Sequence, residues 1–211
     1  MKTKWLIFDM MGVLFIDKDD VKTCLIPFLR SKNITLPDEI IREYYDKASL
    51  GMMKSAGFWK LFKLENLDRE FLDSRLKYDP EALIMALKHL SGFRFGIISN
   101  DISEWSSYLR KKYRINDIVE IAVISGDTGM RKPGEQIFYH FLKLTKAIPE
   151  NCIFIDDNIN NLITARQIGI KSVLLDRDRN FSGNENKADY AIGSWEEMDN
   201  ILNAVSGQRS V

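Results

Sequence analysis

The sequence predicts an α/β protein, a doubly wound parallel sheet with a smaller, all-helical unit inserted after its first strand. Three observations predict it. From Pro80 onward, short apolar runs alternate with amphipathic segments, the pattern of a parallel sheet carrying helices on both faces. Between the first apolar run and Pro80 there are helical patterns and no strand. Polar residues with chemical potential recur where the apolar runs end, and ligands in open parallel sheets bind at those ends.

The first strand is KWLIFD, closing at Asp9. Helical periodicity follows in VKTCLIPFLRS, in PDEIIREYYDKAS with Pro37 at its start, in GFWKLFKL and in LDREFLDSRL. PEALIMALKHL reads as a helix closed by Gly92, FRFGIIS as a strand, DISEWSSYLRKKY as a helix and EIAVIS as a strand. Helix PGEQIFYHFLKL, strand CIFID, helix INNLITARQ, strand SVLLD and a short strand DYAI continue the alternation. Ser194 with Glu197 forms a capping box that opens a last helix. The charged, Gly- and Asn-rich stretch DRDRNFSGNENK reads as an exposed loop. The expected division is a Rossmann-like core of residues 1–16 plus 80–211 and a helical cap of residues 17–79, hinged beside the ligand-binding edge.

Composition narrows the function classes. A chain of 211 residues with 45% hydrophobic content holds one substantial core and a smaller appendage. Thirty basic and thirty acidic residues cancel, so no global field attracts nucleic acid or an anionic membrane, and neither is an expected partner. No apolar run approaches the roughly 18 residues of a membrane span, and no export-leader pattern is evident at the start. Cys24 and Cys152 lie far apart in apolar stretches and build neither a disulfide framework nor a zinc spacing. A cytoplasmic protein is expected, as monomer or homodimer.

The strand ends carry the chemistry. Asp9 follows the first strand, Ser99 and Asn100 end the second, Lys132 stands before a helix in GMRKP, and Asp156 and Asp157 follow CIFI. All should meet on one sheet edge. Phosphoryl transfer needs such a set: a carboxylate nucleophile, a small hydroxyl and amides for phosphate oxygens, a cation, and acids for a divalent metal. Each residue alone has an ordinary explanation as a cap, a turn or a surface lysine. Adjacent buried carboxylates repel and call for a cation, so the joint occurrence carries the argument. His89 and His140 have no partner in sequence and are expected to be structural or exposed. Phe58, Trp59 and Phe62 fit the core of the insertion, and YLRKKYR fits a solvated helix face.

FDMMGVLF, IISN, GMRKPGEQIF and FIDDNINNLITARQIGI, in that order and over nearly the whole chain, resemble the haloacid dehalogenase superfamily of hydrolases. The helical insertion resembles the C1-type cap of that superfamily. GMRKP and FIDDN are similar to the small sugar-phosphate phosphatases of the glucose-1-phosphatase type. The resemblance implies a Mg²⁺-dependent phosphatase acting on a small phosphorylated metabolite through an aspartyl-phosphate. It implies Asp9 as nucleophile and metal ligand, and Met11 giving its backbone carbonyl to the metal site. It further implies Ser99 and Asn100 holding phosphate, Lys132 stabilising charge, and Asp156 and Asp157 completing the Mg²⁺ site.

Met11 departs from the pattern. Most phosphatases of the superfamily carry an Asp there, which protonates the leaving oxygen and later activates water; a thioether does neither. Three readings follow. A haloacid dehalogenase also lacks that Asp, but it attacks carbon without a metal and does not keep the paired acids. A phosphatase whose acid is replaced or unnecessary fits the residues best. A catalytically weak protein that binds a phosphometabolite or a partner and signals by cap closure is the third. Without an acid, acyl, aryl or anomeric phosphates should be preferred to alkyl phosphates. Asp17 is a possible replacement, though capping the helix that starts near Asp19 is its simpler role. A receiver domain would place its paired acids near the N-terminus, and a P-loop NTPase needs GxxxxGK[ST], which is missing.

Overall fold

The structure is a computed structural model and describes residues 4–180, 183 and 186–206. Six strands form one sheet: β1 (Trp5–Phe8), β2 (Arg94–Ser99), β3 (Ile121–Ile124), β4 (Cys152–Asp156), β5 (Lys171–Leu175) and β6 (Tyr190–Ile192). All pairings are parallel, in the order β3-β2-β1-β4-β5-β6. The chain runs outward from β1 to β3, crosses to the other side of β1, and runs outward again to β6. β1 is therefore the switch point, where diverging connections leave a crevice at the strand ends. Both sheet faces are covered, so β1 is buried along its whole length and its sequence is continuously apolar. Phe8 pairs with Ile97 and Ile155, and the Asp9 N–H continues the ladder to the Ile155 carbonyl at 2.9 Å. That register sets Asp9 beside Asp156.

Ten α-helices are described. Those before β2 are α1 (Ile26–Ser31), α2 (Asp38–Ser49), α3 (Ser55–Lys60), α4 (Asp68–Arg75) and α5 (Glu81–Lys88). The rest are α6 (Ser103–Lys112), α7 (Ser125–Thr128), α8 (Glu135–Thr145), α9 (Ile159–Gln167) and α10 (Trp195–Ser206). No strand interrupts α1 to α5, as the periodicity predicts. The first predicted helix is split: Val21–Leu25 is a π-helical turn, closed by the Ile26 N–H on the Val21 carbonyl, and α1 begins only after it. Pro27 explains the break, because it has no N–H to return to the preceding turn. The box at α10 also differs. The Glu197 N–H donates to Ser194 Oγ, but the Glu197 carboxylate accepts the Gly193 N–H at 2.8 Å, one residue earlier than a box requires.

Two apolar clusters flank the sheet. One joins Trp5, Ile7 and Phe154 to Phe138 and Phe141 of α8. The other runs from Leu6 and Phe8 into the inserted helices without a break. The expected aromatic core of the insertion is there, with Phe58, Trp59 and Phe62 buried, but Trp105 of α6 completes it from outside. Its ring lies 4.9 Å from Phe71, 5.6 Å from Phe58 and 5.7 Å from Trp59. Asp68 accepts the indole N–H groups of both Trp59 and Trp105. The YLRKKYR face is not purely solvated either, since Tyr108 and Lys112 both bind Asp73 of α4, at 2.8 and 2.6 Å. His89 is buried with Nε2 2.6 Å from Asp199, and His140 is half-buried on α8.

Within DRDRNFSGNENK, residues 178–180 are exposed, while Phe181, Ser182, Asn184 and Glu185 lie outside the described residues. Among the described residues no helix is long and apolar enough to cross a membrane. Trp105→Ala should cost about 3–5 kcal/mol, the usual range for deleting a fully buried aromatic ring. The urea midpoint of unfolding reads it; a loss under about 1 kcal/mol would mean that the joint between insertion and sheet does not depend on this ring.

Candidate active site

Asp9, Asp156, Lys132 and Asn100 meet at the carboxyl ends of β1, β2 and β4, and Ser99 is the last residue of β2. Lys132 is 2% exposed, and its Nζ lies 2.8 Å from Asp9 Oδ1 and 2.7 Å from Asp156 Oδ2. The face of Phe154 lies beneath it, 5.2 Å away. Burial works against the ammonium, but attraction by Asp156 and then Asp9 outweighs it, and the Lys132 pKa is raised. The loop that carries Lys132 is held by Asn100, whose Nδ2 donates to the Lys132 carbonyl at 2.9 Å while its Oδ1 accepts the Lys132 N–H at 2.8 Å. Both polar atoms of the Asn100 side chain thereby engage the Lys132 backbone, while the residue itself lines the cavity beside Asp9.

The paired acids divide. Asp156 is fully buried: Oδ2 also accepts Asn161 Nδ2 at 2.9 Å, and Oδ1 accepts the Asn158 N–H at 2.7 Å. Burial pushes its pKa up, against the pull of Lys132. Asp157 has no such donors from side chains and lies over Gly12. There φ is +78°, and an added Cβ would fall 2.3 Å from the Asp157 Cγ. The loop after β1 needs glycine for both reasons. Burial, then repulsion from Asp9, pushes Asp157 up to about 6.

Asp9, Asp156 and Asp157 offer carboxylate oxygens within 4.8 Å of one another. An all-oxygen, multiply anionic set of this kind suits a hard divalent cation such as Mg²⁺. Ser99 Oγ is buried and without a hydrogen-bond partner among the described residues, a state that normally costs about 1–3 kcal/mol unless a ligand supplies the bond. Met11 is nearly buried and lines the same cavity as Asp9.

That cavity has a volume of about 520 Å³, the size of a small metabolite. Its far wall comes from the insertion: Asp20, Arg42, Tyr45 and Asp46 face Asp9 and Lys132 across it. Reading the sequence did not find these residues, because no local pattern says which side of an inserted helix turns toward a distant strand end. Arg177 was also missed, although the strand-end rule applied to SVLLD would have reached it. It donates to the carbonyls of Gly12 and Val13 at 2.6 and 2.9 Å and to Asp79 at 2.5 Å, and Trp195 Nε1 meets the same carboxylate at 2.9 Å. The motif loop after β1 is thereby stapled to the start of α5 and to α10. Asp17 lies elsewhere: its carboxylate accepts the Lys77 N–H at 2.9 Å and does not line the cavity. It is not placed to replace an acid at Met11.

The model of the haloacid dehalogenase-like hydrolases matches residues 3–169 of this chain. The chain belongs to that family. Putative phosphatase YhcW of Bacillus subtilis (strain 168) is 25% identical over 145 residues, covering 66% of each chain. Phosphoglycolate phosphatase of Colwellia psychrerythraea is 27% identical over 117 residues, 55% of this chain and 51% of that one. The chain spans between 10% and 66% of the curated relatives it matches. Among solved structures, the HAD family enzyme bt-2542 of Bacteroides thetaiotaomicron, a magnesium complex, superposes with a TM-score of 0.70 at 22% identity, covering 86% of this chain and 98% of that one. A likeness at that identity establishes the shared fold.

Two expectations follow from the geometry. Gly12→Ala must strain the backbone and displace the Asp157 carboxylate, so calorimetry should record Mg²⁺ affinity at least about tenfold weaker than in the parent, in line with lost support around a metal site. Unchanged affinity would separate Asp157 from any metal role. The second concerns pH. Asp157, Asp20 and Asp156 all have folded-state pKa values raised above the ordinary 3.8, Asp157 to about 6 and Asp20 to about 7. The folded state therefore binds more protons than the unfolded state above pH 3.8, and this contribution to stability is lost progressively as pH rises from about 4 to about 7. In EDTA the melting temperature should fall across that window, and Mg²⁺ should restore it at the alkaline end. A melting temperature that rises with pH in EDTA would refute the buried acid cluster.

Proposed function

We propose that this protein is a Mg²⁺-dependent phosphatase that hydrolyses a small phosphorylated metabolite through an aspartyl-phosphate on Asp9. The observation that carries it is the trio of Asp9, Asp156 and Asp157 around a buried lysine, because three converging acids favour a metal-assisted reaction on an anion. A dehalogenase attacking carbon has no use for that trio. Asp9 Oδ1 is held by Lys132 and by the Met10 N–H at 2.7 Å, which orients the carboxylate at the mouth of the cavity. Lys132 neutralises charge on the transferring phosphoryl group, Ser99 Oγ donates to one of its oxygens, and Asp157 with Asp156 and Asp9 holds the metal. When bound, Mg²⁺ would withdraw charge from the phosphoryl oxygens and align the group with Asp9.

Residues 17–79 act as a cap over the core of residues 1–16 and 80–211. Support comes from Asp20, Arg42, Tyr45 and Asp46, which bring polar contacts over the substrate from that segment. Their mixture of acids, a guanidinium and a phenol suits a hydroxylated metabolite better than an apolar one. Two buried free thiols, Cys24 and Cys152, accord with a cytoplasmic setting.

A screen of phosphorylated metabolites with Mg²⁺ tests this directly. Asp9→Asn should abolish turnover, and Lys132→Ala should lower it by about 10²–10³, the loss typical of one donor aimed at developing charge. Lys111→Ala, on the exposed side of α6, should leave it unchanged. Equal effects at Lys132 and Lys111, in variants that keep their fold by circular dichroism, would remove the electrostatic role of Lys132.

A further inference from the structure

The phosphatase reading leaves one chemical task without a residue: a proton must reach the leaving oxygen, and later a proton must leave water. Met11 does neither, and Asp17 is engaged with Lys77. Asp20 stands in the cavity with Asp9, Met11 and Lys132, on the side contributed by the insertion. It is 9% exposed, and its carboxyl group is approached by the backbone N–H groups of Asp20 and Val21 but, among the described residues, by no side-chain donor. The neighbouring Asp19 takes the Arg42 guanidinium at 2.7 Å, so the local cation is spent on Asp19 and not on Asp20. Asp20 is thus a buried carboxyl without an ion-pair partner among the described residues, lining the same cavity as Asp9.

We propose that Asp20 supplies the general acid and base that Met11 does not. The proposal rests on the phosphatase reading and completes it. In the first step Asp9 Oδ2 attacks phosphorus, an O–P bond forms, and the bond from phosphorus to the leaving oxygen breaks. The electron pair on that oxygen takes the proton of the Asp20 carboxyl group, and the alcohol departs. In the second step the oxygen of water attacks phosphorus and passes its proton to the Asp20 carboxylate. The aspartyl O–P bond breaks, returning the Asp9 carboxylate and releasing inorganic phosphate. Asp20 ends protonated, ready for the next turnover. The restriction to good leaving groups expected from Met11 alone is thereby lifted.

Its surroundings suit both roles. Burial, then the charges of Asp19 and Asp9, push the Asp20 pKa up to about 7, where acid and base forms are both populated near neutrality. The other groups that face it are Asp101, Tyr45, Cys24 and Arg42. Burial raises Asp101 well above the carboxylate range, and Tyr45 and Cys24 are raised as well, so none of the three gains a charge near pH 7. Arg42 stays charged, its pKa raised by Asp19.

Rapid-quench kinetics of the full chain with Mg²⁺ and p-nitrophenyl phosphate test the proposal, because p-nitrophenolate leaves without an acid and the first step survives loss of Asp20. In Asp20→Asn we expect a stoichiometric burst of p-nitrophenol, then a steady rate lower than that of the parent by about 100-fold or more. The burst also certifies that the variant is folded and its nucleophile intact. The rise of the parent's steady rate with pH through about 7 should vanish in Asp20→Asn. Adding Met11→Asp to Asp20→Asn should remove the burst and restore turnover. A steady rate in Asp20→Asn within about threefold of the parent, or a pH rise that persists, overturns the role of Asp20 and leaves the phosphatase standing. No Mg²⁺-dependent release of p-nitrophenol from the parent, with Asp9→Asn indistinguishable from it, overturns the phosphatase and the acid together.

Discussion

The site depends on one buried cation. Asp9, Asp156 and Asp157 lie close enough for their charges to oppose one another at the sheet edge, and Lys132 sits between two of them. Without its ammonium, uncompensated carboxylates would stand in a dry crevice, an arrangement whose desolvation cost runs to several kcal/mol per ion. Much of the local structure serves that ammonium. Asn100 brackets its backbone, Phe154 supports it from below, the Asn158 N–H takes the oxygen of Asp156 that it leaves free, and Asn161 shares the other oxygen with it. Asp156 thus behaves as an anchor for the lysine, while Asp157, free of such donors, is the more available of the pair.

A second constraint lies in the loop after β1. Gly12 turns there with positive φ so that Asp157 can lie against the backbone, and Arg177 holds the next carbonyls. The guanidinium is itself paired with Asp79, between α4 and α5. The entry and exit of the inserted helices are tied to the same loop that presents Asp9. Geometry at Asp9 and placement of the insertion are therefore mechanically linked.

The aromatic joint adds to this linkage. Trp105 lies on α6, after β2, yet packs on Phe58, Trp59 and Phe71 of the inserted helices, and shares Asp68 with Trp59. Swinging the insertion away as a rigid body would expose those rings and leave the Trp105 indole N–H without its acceptor Asp68, both at a cost in burial and hydrogen bonding. The joint therefore opposes wide opening of the insertion.

Periodicity and strand-end polarity in the sequence were enough for the parallel sheet, the inserted helices, and the convergence of Asp9, Lys132, Asp156 and Asp157. These follow from rules that act locally: alternating apolar runs build the sheet, and parallel strands bring their carboxyl ends to one side. The same rules named Ser99 and Asn100 but not the tasks of their side chains, since whether an amide meets a ligand or a neighbouring loop depends on where that loop lies. Only the tertiary structure spent Asn100 on Lys132 and Asp17 on Lys77, joined the insertion to Trp105, and brought Asp20 into the cavity. Each of these contacts joins segments distant in sequence through packing and desolvation. Those forces depend on three-dimensional neighbours and leave no periodic signature along the chain.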